Sequence, residues 1–351
     1  MILTYRYRVK NHLGLLNKQA KAVNFVWNFC NDTQKHALKW GKKWPSGFDL
    51  NNLTTGSSKE LGLHSDSLDA ICKQYAQSRF QFKRPYLRYR GKKCIGWLPI
   101  RGRALKREGN SFRFNGDTYR VFNSRPLPEG KIKDGTSFSQ DTKGNWYLNI
   151  VIEVQEAQQR PINKGVGIDL GLKDFATFST GEVIPIQQIY RKAEEKLGIA
   201  QRANKKKQVK AIHVKIANKR KDFNHKLSTA LIEEFDYIAV GNVSSSKLVK
   251  THLAKSVNDA GWSMFRNFCA YKSVKNGAWY EEVDESFSTV TCSCCGKRTG
   301  PSGLKDLQIR GWICSDCLTK HDRDENAGKN ILNWSNFRIG QDTPVEGVLT
   351  C

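Results

Sequence analysis

Four cysteines, Cys292, Cys295, Cys314 and Cys317, form two C-x2-C pairs separated by 18 residues. Two such knuckles can close four thiolates into a tetrahedron around Zn²⁺ and leave no open position, so the ion would be structural and not catalytic. Cys294 lies directly beside Cys295, and the two would chelate one ion poorly. His321 reads as a polar residue at the exit of the ribbon. Two carboxylates suggest a different metal. Asp169 ends the apolar, Gly-flanked run Gly165-Val166-Gly167-Ile168-Asp169-Leu170-Gly171. Asp324 follows the ribbon in His321-Asp322-Arg323-Asp324-Glu325-Asn326-Ala327, in the first turn of a predicted helix, where the macrodipole favours its charge. Carboxylate oxygens are the hard ligands Mg²⁺ takes. Taken singly, Asp169 also reads as a strand-end turn residue and Asp324 as an ordinary helix-start charge.

The surrounding chain suits a polyanion. There are 58 Lys+Arg against 33 Asp+Glu, a net charge of +25 over 351 residues. Each phosphate neutralised by such a surface releases condensed counterions. A hydrophobic content of 39% with 11% aromatics belongs to a folded protein of two or three domains. No stretch approaches the roughly 20 apolar residues of a membrane span, and the N-terminus lacks the apolar centre of a signal peptide. Cys30, Cys72, Cys94, Cys269, Cys294 and Cys351 have no partners by spacing and read as the reduced thiols of a cytoplasmic protein.

The elements that must position these groups follow from periodicity. Residues 2–9 alternate as a strand, and 13–40 carry apolar residues at helical spacing. A Gly/Ser/Asn-rich turn is predicted over 46–58, then a helix capped by Ser65 or Asp66 and ending near Lys83. Two hairpins are predicted, one about Asn115-Gly116-Asp117 and one about Lys143-Gly144-Asn145. Residues 155–163 read as a linker. Residues 190–234 read as basic helices, with Lys205-Lys206-Lys207, Lys210, Lys215 and Lys219-Arg220-Lys221 on several faces. Tyr237-Ile238-Ala239-Val240-Gly241 reads as a buried strand, 253–273 as one helix and 278–285 as a further strand.

From about residue 164 to 334 the chain resembles the TnpB (OrfB) family of transposon-encoded RNA-guided DNA nucleases, relatives of the type V CRISPR effectors. The resemblance rests on Gly167-Ile168-Asp169-Leu170-Gly171, on a segment from Ala254 to Trp262 that contains Asn258-Asp259-Ala260-Gly261-Trp262, on Thr291-Cys292-Ser293-x-Cys295-Gly296 and on His321-Asp322-Arg323-Asp324-x-Asn326-Ala327-x-Lys329-Asn330-Ile331-Leu332. It implies an α+β multidomain fold. An N-terminal wedge-like β-barrel (1–10 and 92–158) would carry a helical recognition insertion (11–91). An RNase H-like (RuvC) α/β domain (163–290 and 320–336) would hold an inserted zinc ribbon (291–319), with a flexible tail over 337–351. The implied activity is Mg²⁺-dependent cleavage of double-stranded target DNA matched to a guide RNA, next to a short flanking motif. Trp27, Phe82, Tyr86 and Tyr89 could stack on bases or belong to the core.

One position departs from the family pattern. The family's second catalytic carboxylate is a Glu ending the strand that here ends in Gly241. The next strand ends in Glu285, where the family more usually has Pro. In an RNase H-like sheet the two strands run parallel at about 4.8 Å, a gap a Glu side chain can span. Glu285 is therefore expected to supply the missing ligand, making Asp169, Glu285 and Asp324 the catalytic, metal-binding set. Asp284 should face the other way. Without a replacement carboxylate, the chain would be a nuclease-inactive RNA-guided DNA-binding repressor. A strand-transferring transposase is a third reading.

Overall fold

The computed structural model describes residues 1–244, 250, 254–303, 306 and 308–337. The chain divides into two compact units, Met1–Gln155 and Glu156–Cys351.

In the first unit, strand β1 (Ile2–Arg8) is followed by helices α1 (Leu13–Lys39), α2 (Gly47–Thr54), α3 (Ser58–Leu61) and α4 (Ser65–Gln81). Seven short strands come next: β2 (Trp97–Pro99), β3 (Lys106–Glu108), β4 (Ser111–Phe114), β5 (Asp117–Arg120), β6 (Lys131–Ile132), β7 (Ser137–Gln140) and β8 (Trp146–Glu153). They form a five-stranded sheet in the order β1-β8-β7-β2, with β6 also paired to β8, and a separate three-stranded sheet β3-β4-β5. A single bridge, Val9 to Val121, links the end of β1 to the region after β5. Both predicted hairpins are present. Asn115 and Gly116 take positive φ in the β4–β5 turn, as a tight two-residue turn requires.

One local reading needs correction, and one left open is decided. The predicted turn over 46–58 contains α2, because Ser46 and Asp49 form a reciprocal capping box and Leu50 is fully buried. Trp27 is core, edge-on to Tyr75 with ring centroids 5.2 Å apart. Phe82, Tyr86 and Tyr89 are exposed, and the Lys35 ammonium lies over both tyrosine rings.

The second unit is built on strands β9 (Gly165–Leu170), β10 (Asp174–Phe178), β11 (Val183–Pro185), β12 (Tyr237–Gly241) and β13 (Trp279–Val283), with helices α5 (Arg191–Arg202), α6 (Lys206–Glu234), α7 (Ala254–Ala260) and α8 (Trp262–Asn276) between them. A two-stranded ribbon, β14 (Gly311–Ile313) and β15 (Lys320–Asp322), and helix α9 (Arg323–Trp334) follow. The sheet order is β11-β10-β9-β12-β13, antiparallel on the β10–β11 side and parallel across β9, β12 and β13.

Side-chain alternation divides the sheet into two faces. Val166, Ile168, Ile238 and Val240 pack against α6, α7 and α8 through Leu231, Ile232, Val257, Phe265 and Cys269. Tyr237, Ala239 and Val283 pack on the opposite face against Ile331 of α9. Here α9 lies directly on β9, and only glycine permits the approach. A Cβ on Gly167 would collide with the Gly328 carbonyl oxygen and the Leu332 amide. Gly167, two residues before Asp169, is thus a packing requirement of the helix that carries Asp324.

Three further readings change. The predicted helix over 253–273 is two helices, broken at Gly261, whose φ is +71°. Residue 253 itself lies outside the described residues. The predicted linker is pinned: Arg160 Nη2 donates to the carbonyls of Ile232 and Phe235 at 2.6 Å, and Ile162 is fully buried. Phe337, assigned to the tail, packs on Tyr237 with ring centroids 5.6 Å apart. Residues 338–351, including Cys351, lie outside the described residues. Among the described residues, no helix is long and apolar enough to cross a membrane.

Candidate active site and zinc ribbon

Strand parity brings the acidic groups together. Asp169 shares the α9 face with Gly165 and Gly167, and Gly241 shares it with Tyr237 and Ala239. Gly241 is paired in register with Val283, so two residues on, Glu285 falls on this face as well. Asp284 falls on the other side and accepts from the Ser286 amide at 3.1 Å and its hydroxyl at 2.8 Å. Helix α9 begins at this end of the sheet. Its cap, Asp322, accepts from the amides of Asp324 and Glu325. That satisfies the start of the helix and fixes Asp324 in its first turn.

Glu285 occupies the space that Gly241 leaves. A Cβ on Gly241 would lie 2.5 Å from Glu285 Oε2 and 3.3 Å from its Cβ. Oε2 is buried and has no hydrogen-bond partner among the described residues. A buried carboxylate oxygen without a donor is costly unless a cation takes the position. Burial pushes the Glu285 carboxyl up to about 7, with the neighbouring charge of Asp284 adding to the effect and Arg266 opposing it. Burial also pushes Asp169 up to about 7, followed by the negative charges of Glu285 and Asp324, while Arg323 and Arg310 act against the rise. Asp324 is raised as well, first by burial, with Asp322 and Asp174 adding to the effect and Arg310 countering it.

A cleft of about 110 Å³ opens at this end of the sheet, lined by Asp169, Asp174, Thr177, Arg310 and Asp324 among others. Glu285 does not line the cleft. It packs against Gly241. The donor set fits a hard divalent ion, with carboxylate oxygens, an orphaned buried oxygen and no sulfur or imidazole. The carboxylates do not draw into one tight cluster, however. Among the described residues, only the four cysteines bring three or more ligand atoms within 4.8 Å of one another. The guanidinium of Arg310 pairs with Asp324 instead. Arg310 and Asp174 escaped sequence reasoning. Arg310 lies between the two zinc knuckles and Asp174 opens β10 after a turn, and neither has a local pattern that points to the cleft.

The four thiols converge as their spacing requires. The Sγ atoms of Cys292 and Cys317 lie 3.5 Å apart, and those of Cys295 and Cys314 lie 3.6 Å apart. A tetrahedron with Zn–S bonds of about 2.3 Å has edges of about 3.8 Å, so the cluster could hold a zinc ion. Cys294 is exposed and outside it. His321 is more than an exit residue. It is buried against Trp312, with Nε2 3.0 Å from Cys292 Sγ. Burial holds its imidazole below the usual value. A neutral ring that donates to a metal-bound thiolate orients that ligand.

The basic helices α5 and α6 keep most of their charge in solvent. Lys205, Lys206, Lys207, Lys210, Lys215 and Lys219 are exposed. Arg220 differs, since it donates to the Asp259 carbonyl at 2.9 Å and its carboxylate at 3.0 Å. That carboxylate also accepts from the Tyr190 amide. Asp259 of the Asn258-Asp259-Ala260-Gly261-Trp262 segment thus ties α6 to α7 and to the start of α5.

Comparison with known proteins agrees with this architecture. Residues 149–252 match the OrfB family profile described as a probable transposase, and residues 262–331 match the Cas12f1-like TNB domain. A putative RNA-guided DNA endonuclease of Streptomyces pristinaespiralis is 35% identical over 223 residues, 60% of this chain and 54% of that protein. The chain therefore spans about half of that relative. Escherichia coli InsQ, also named a putative RNA-guided DNA endonuclease, is 26% identical over 84% of this chain and 78% of its own length. A TnpB-like protein of Acanthamoeba polyphaga mimivirus is 31% identical over 47% of this chain and 36% of its own. Among solved structures, Cas12f1 in complex with sgRNA and target DNA superposes with a TM-score of 0.60 at 13% identity, covering 91% of this chain and 82% of that one, which is a likeness of fold. By these profile matches and relatives, the chain carries an OrfB-type segment followed by a Cas12f1-like TNB domain and is similar to TnpB-like proteins.

Proposed function

We propose that the protein is an RNA-guided DNA endonuclease. It would cut guide-complementary double-stranded DNA beside a short flanking motif. The relatives named RNA-guided DNA endonucleases support the class of reaction. The observation that carries the catalytic reading is the Glu285 carboxylate, lodged in the space left by Gly241 and on the sheet face shared by Asp169 and α9. In this reading 163–290 and 320–336 form a RuvC nuclease domain, and 291–319 its zinc ribbon. Residues 1–10 and 92–158 form the wedge-like barrel, and 11–91 the recognition insertion.

Asp169, Glu285 and Asp324 would hold two Mg²⁺. When bound, these ions supply an activated water and stabilise the leaving oxygen. The protein's own part is to present three carboxylates from separate elements at one edge of a rigid sheet. Arg310 in the cleft is a cation that must be shared between Asp324 and any incoming phosphate. The exposed lysines of α5 and α6 would grip the backbone of a guide–target heteroduplex. Zinc would be held by Cys292, Cys295, Cys314 and Cys317.

The test is cleavage of a target plasmid by the protein with its copurifying RNA and Mg²⁺, repeated with Glu285→Ala. Loss of cutting in the variant, with retained target binding, is the expected result. Undiminished cutting would remove Glu285 from the site. The lack of a tight three-carboxylate cluster among the described residues and the Arg310–Asp324 pair favour a second reading, a nuclease-inactive RNA-guided DNA-binding repressor. Guide-dependent binding without any nick by the unmodified protein would establish that reading in place of the first.

A further inference from the structure

Two asparagines of α9, Asn326 and Asn330, are almost fully buried and stand one helical turn apart. Their side-chain amides converge on the same two backbone carbonyls. Asn326 Nδ2 donates to the oxygens of Ser288 and Thr291 at 3.1 and 2.7 Å. Asn330 Nδ2 donates to the same two oxygens at 2.8 and 2.7 Å. Two amide groups offer four N–H bonds and two carbonyls offer four lone pairs, so the square is closed and leaves no group unpaired. Asn326 Oδ1 also accepts from the Ser293 amide at 2.9 Å.

The segment this square grips links the two metals' ligands. Ser288 stands three residues after Glu285, and its amide donates to the Glu285 carbonyl at 3.0 Å. Thr291 immediately precedes Cys292, the first zinc ligand. Asp324 stands two residues before Asn326 on the same helix. Helix packing alone does not call for two asparagines here, since apolar side chains would serve it and are cheaper to bury.

We propose that Asn326 and Asn330 are positioning residues that set the separation between Glu285 and Asp324, and that they lock this separation to the first zinc knuckle. The proposal rests on the reading of Asp169, Glu285 and Asp324 as divalent-metal ligands. The square joins the segment after β13 to α9 through backbone carbonyls on one side, so the two asparagines are its only side-chain members. Metal sites tolerate errors of a few tenths of an ångström in ligand placement. Losing one amide leaves two lone pairs unfilled and lets the two ligands drift relative to each other.

The test is calorimetric titration of Mn²⁺ into the full-length, zinc-loaded protein, with zinc content measured alongside. Asn330→Ala is expected to weaken Mn²⁺ binding about tenfold or more, with zinc still at one ion per chain. Asn330→Asp removes both donors and adds charge against the carbonyls, so it should weaken binding further; if it fails to retain zinc, Asn330→Ala alone is read. Trp334→Phe, at the far end of α9 and partly buried, perturbs the same helix outside the square and should leave Mn²⁺ affinity unchanged. Asp169→Ala should abolish binding. Mn²⁺ affinity of Asn330→Ala within about twofold of the unmodified protein, or an equal loss in Trp334→Phe, would overturn the positioning role. Identical isotherms for the unmodified protein and Asp169→Ala would instead overturn the metal-site reading beneath it.

Discussion

Gly241→Ala puts the assignment of Glu285 under direct pressure. The new Cβ would sit 2.5 Å from Glu285 Oε2, and ordinary contact begins near 3.4 Å, so the carboxylate must move by the difference, about 0.9 Å. The Ile331 Cδ1 atom at 3.2 Å must also yield slightly. The oxygen lies at the end of a flexible side chain, so overpacking should cost only about 1 kcal/mol. Replacing a strand glycine returns about 0.5–1 kcal/mol through the unfolded chain. The melting temperature should therefore move by no more than about 4 °C. Activity responds differently, because a displacement of about 1 Å at reacting groups can cost on the order of 100-fold in rate. The assay is the rate of guide-directed plasmid cleavage in Mg²⁺, beside a thermal melt of the same preparation. In the double variant Gly241→Ala/Glu285→Ala the clash with Oε2 is gone and only the close contacts of Ile331 Cδ1 and the residue 285 Cβ remain, so most of the stability should recover while cutting stays absent. If Gly241→Ala cuts at the unmodified rate, the carboxylate of Glu285 has no part in the reaction. If it instead unfolds the protein, the room behind Gly241 serves packing and not a ligand.

Further outcomes follow from the same structure. Asp169 and Glu285 both have folded-state values of about 7, above their ordinary values of 3.8 and 4.5. Between about pH 4 and 7 the folded state therefore holds more protons than the unfolded one, and metal-free stability should fall as pH rises through that window and level off above it. Asp169→Asn should flatten the slope and raise stability at pH 8 by about 1–2 kcal/mol after discounting solvent screening, read by denaturant titration at each pH. Mn²⁺ binding should run the opposite way and weaken below about pH 7. Cys314→Ser should lose the zinc and open the segment from Cys292 to Cys317, seen as loss of stoichiometric zinc and fast amide exchange there. Neutralising Lys205, Lys206 and Lys207 to Gln should weaken nucleic-acid binding and lower the salt slope by about 0.7–0.9 for each phosphate no longer neutralised; an unchanged slope would mean these lysines face only solvent.

Some of this protein was written in local patterns. The C-x2-C pairs specified the four-thiol cluster, because a knuckle is a short-range geometry. Alternation and turn residues specified the hairpins about Gly116 and Gly144, and the apolar runs specified β9, β12 and β13. Parity along those strands even indicated that Glu285, and not Asp284, would share a face with Gly241. Other features depended on groups far apart in the chain. The 46–58 segment is helical because Leu50 finds a buried site, and Trp27 is core because α4 and β2 cover it. Arg160 and Phe337 are fixed by partners about 70 and 100 residues away in sequence, which no window of neighbours reveals. Arg310 reaches Asp324 only because the ribbon folds back beside α9, and the two asparagines find their carbonyls only when that helix lies on β9. Sequence determined which groups could bind metal, since ligand chemistry and strand parity are properties of the residues themselves. Tertiary structure decided how far apart those groups stand and which cation already holds one of them, because distance across a sheet edge is set by packing between elements and not by order along the chain.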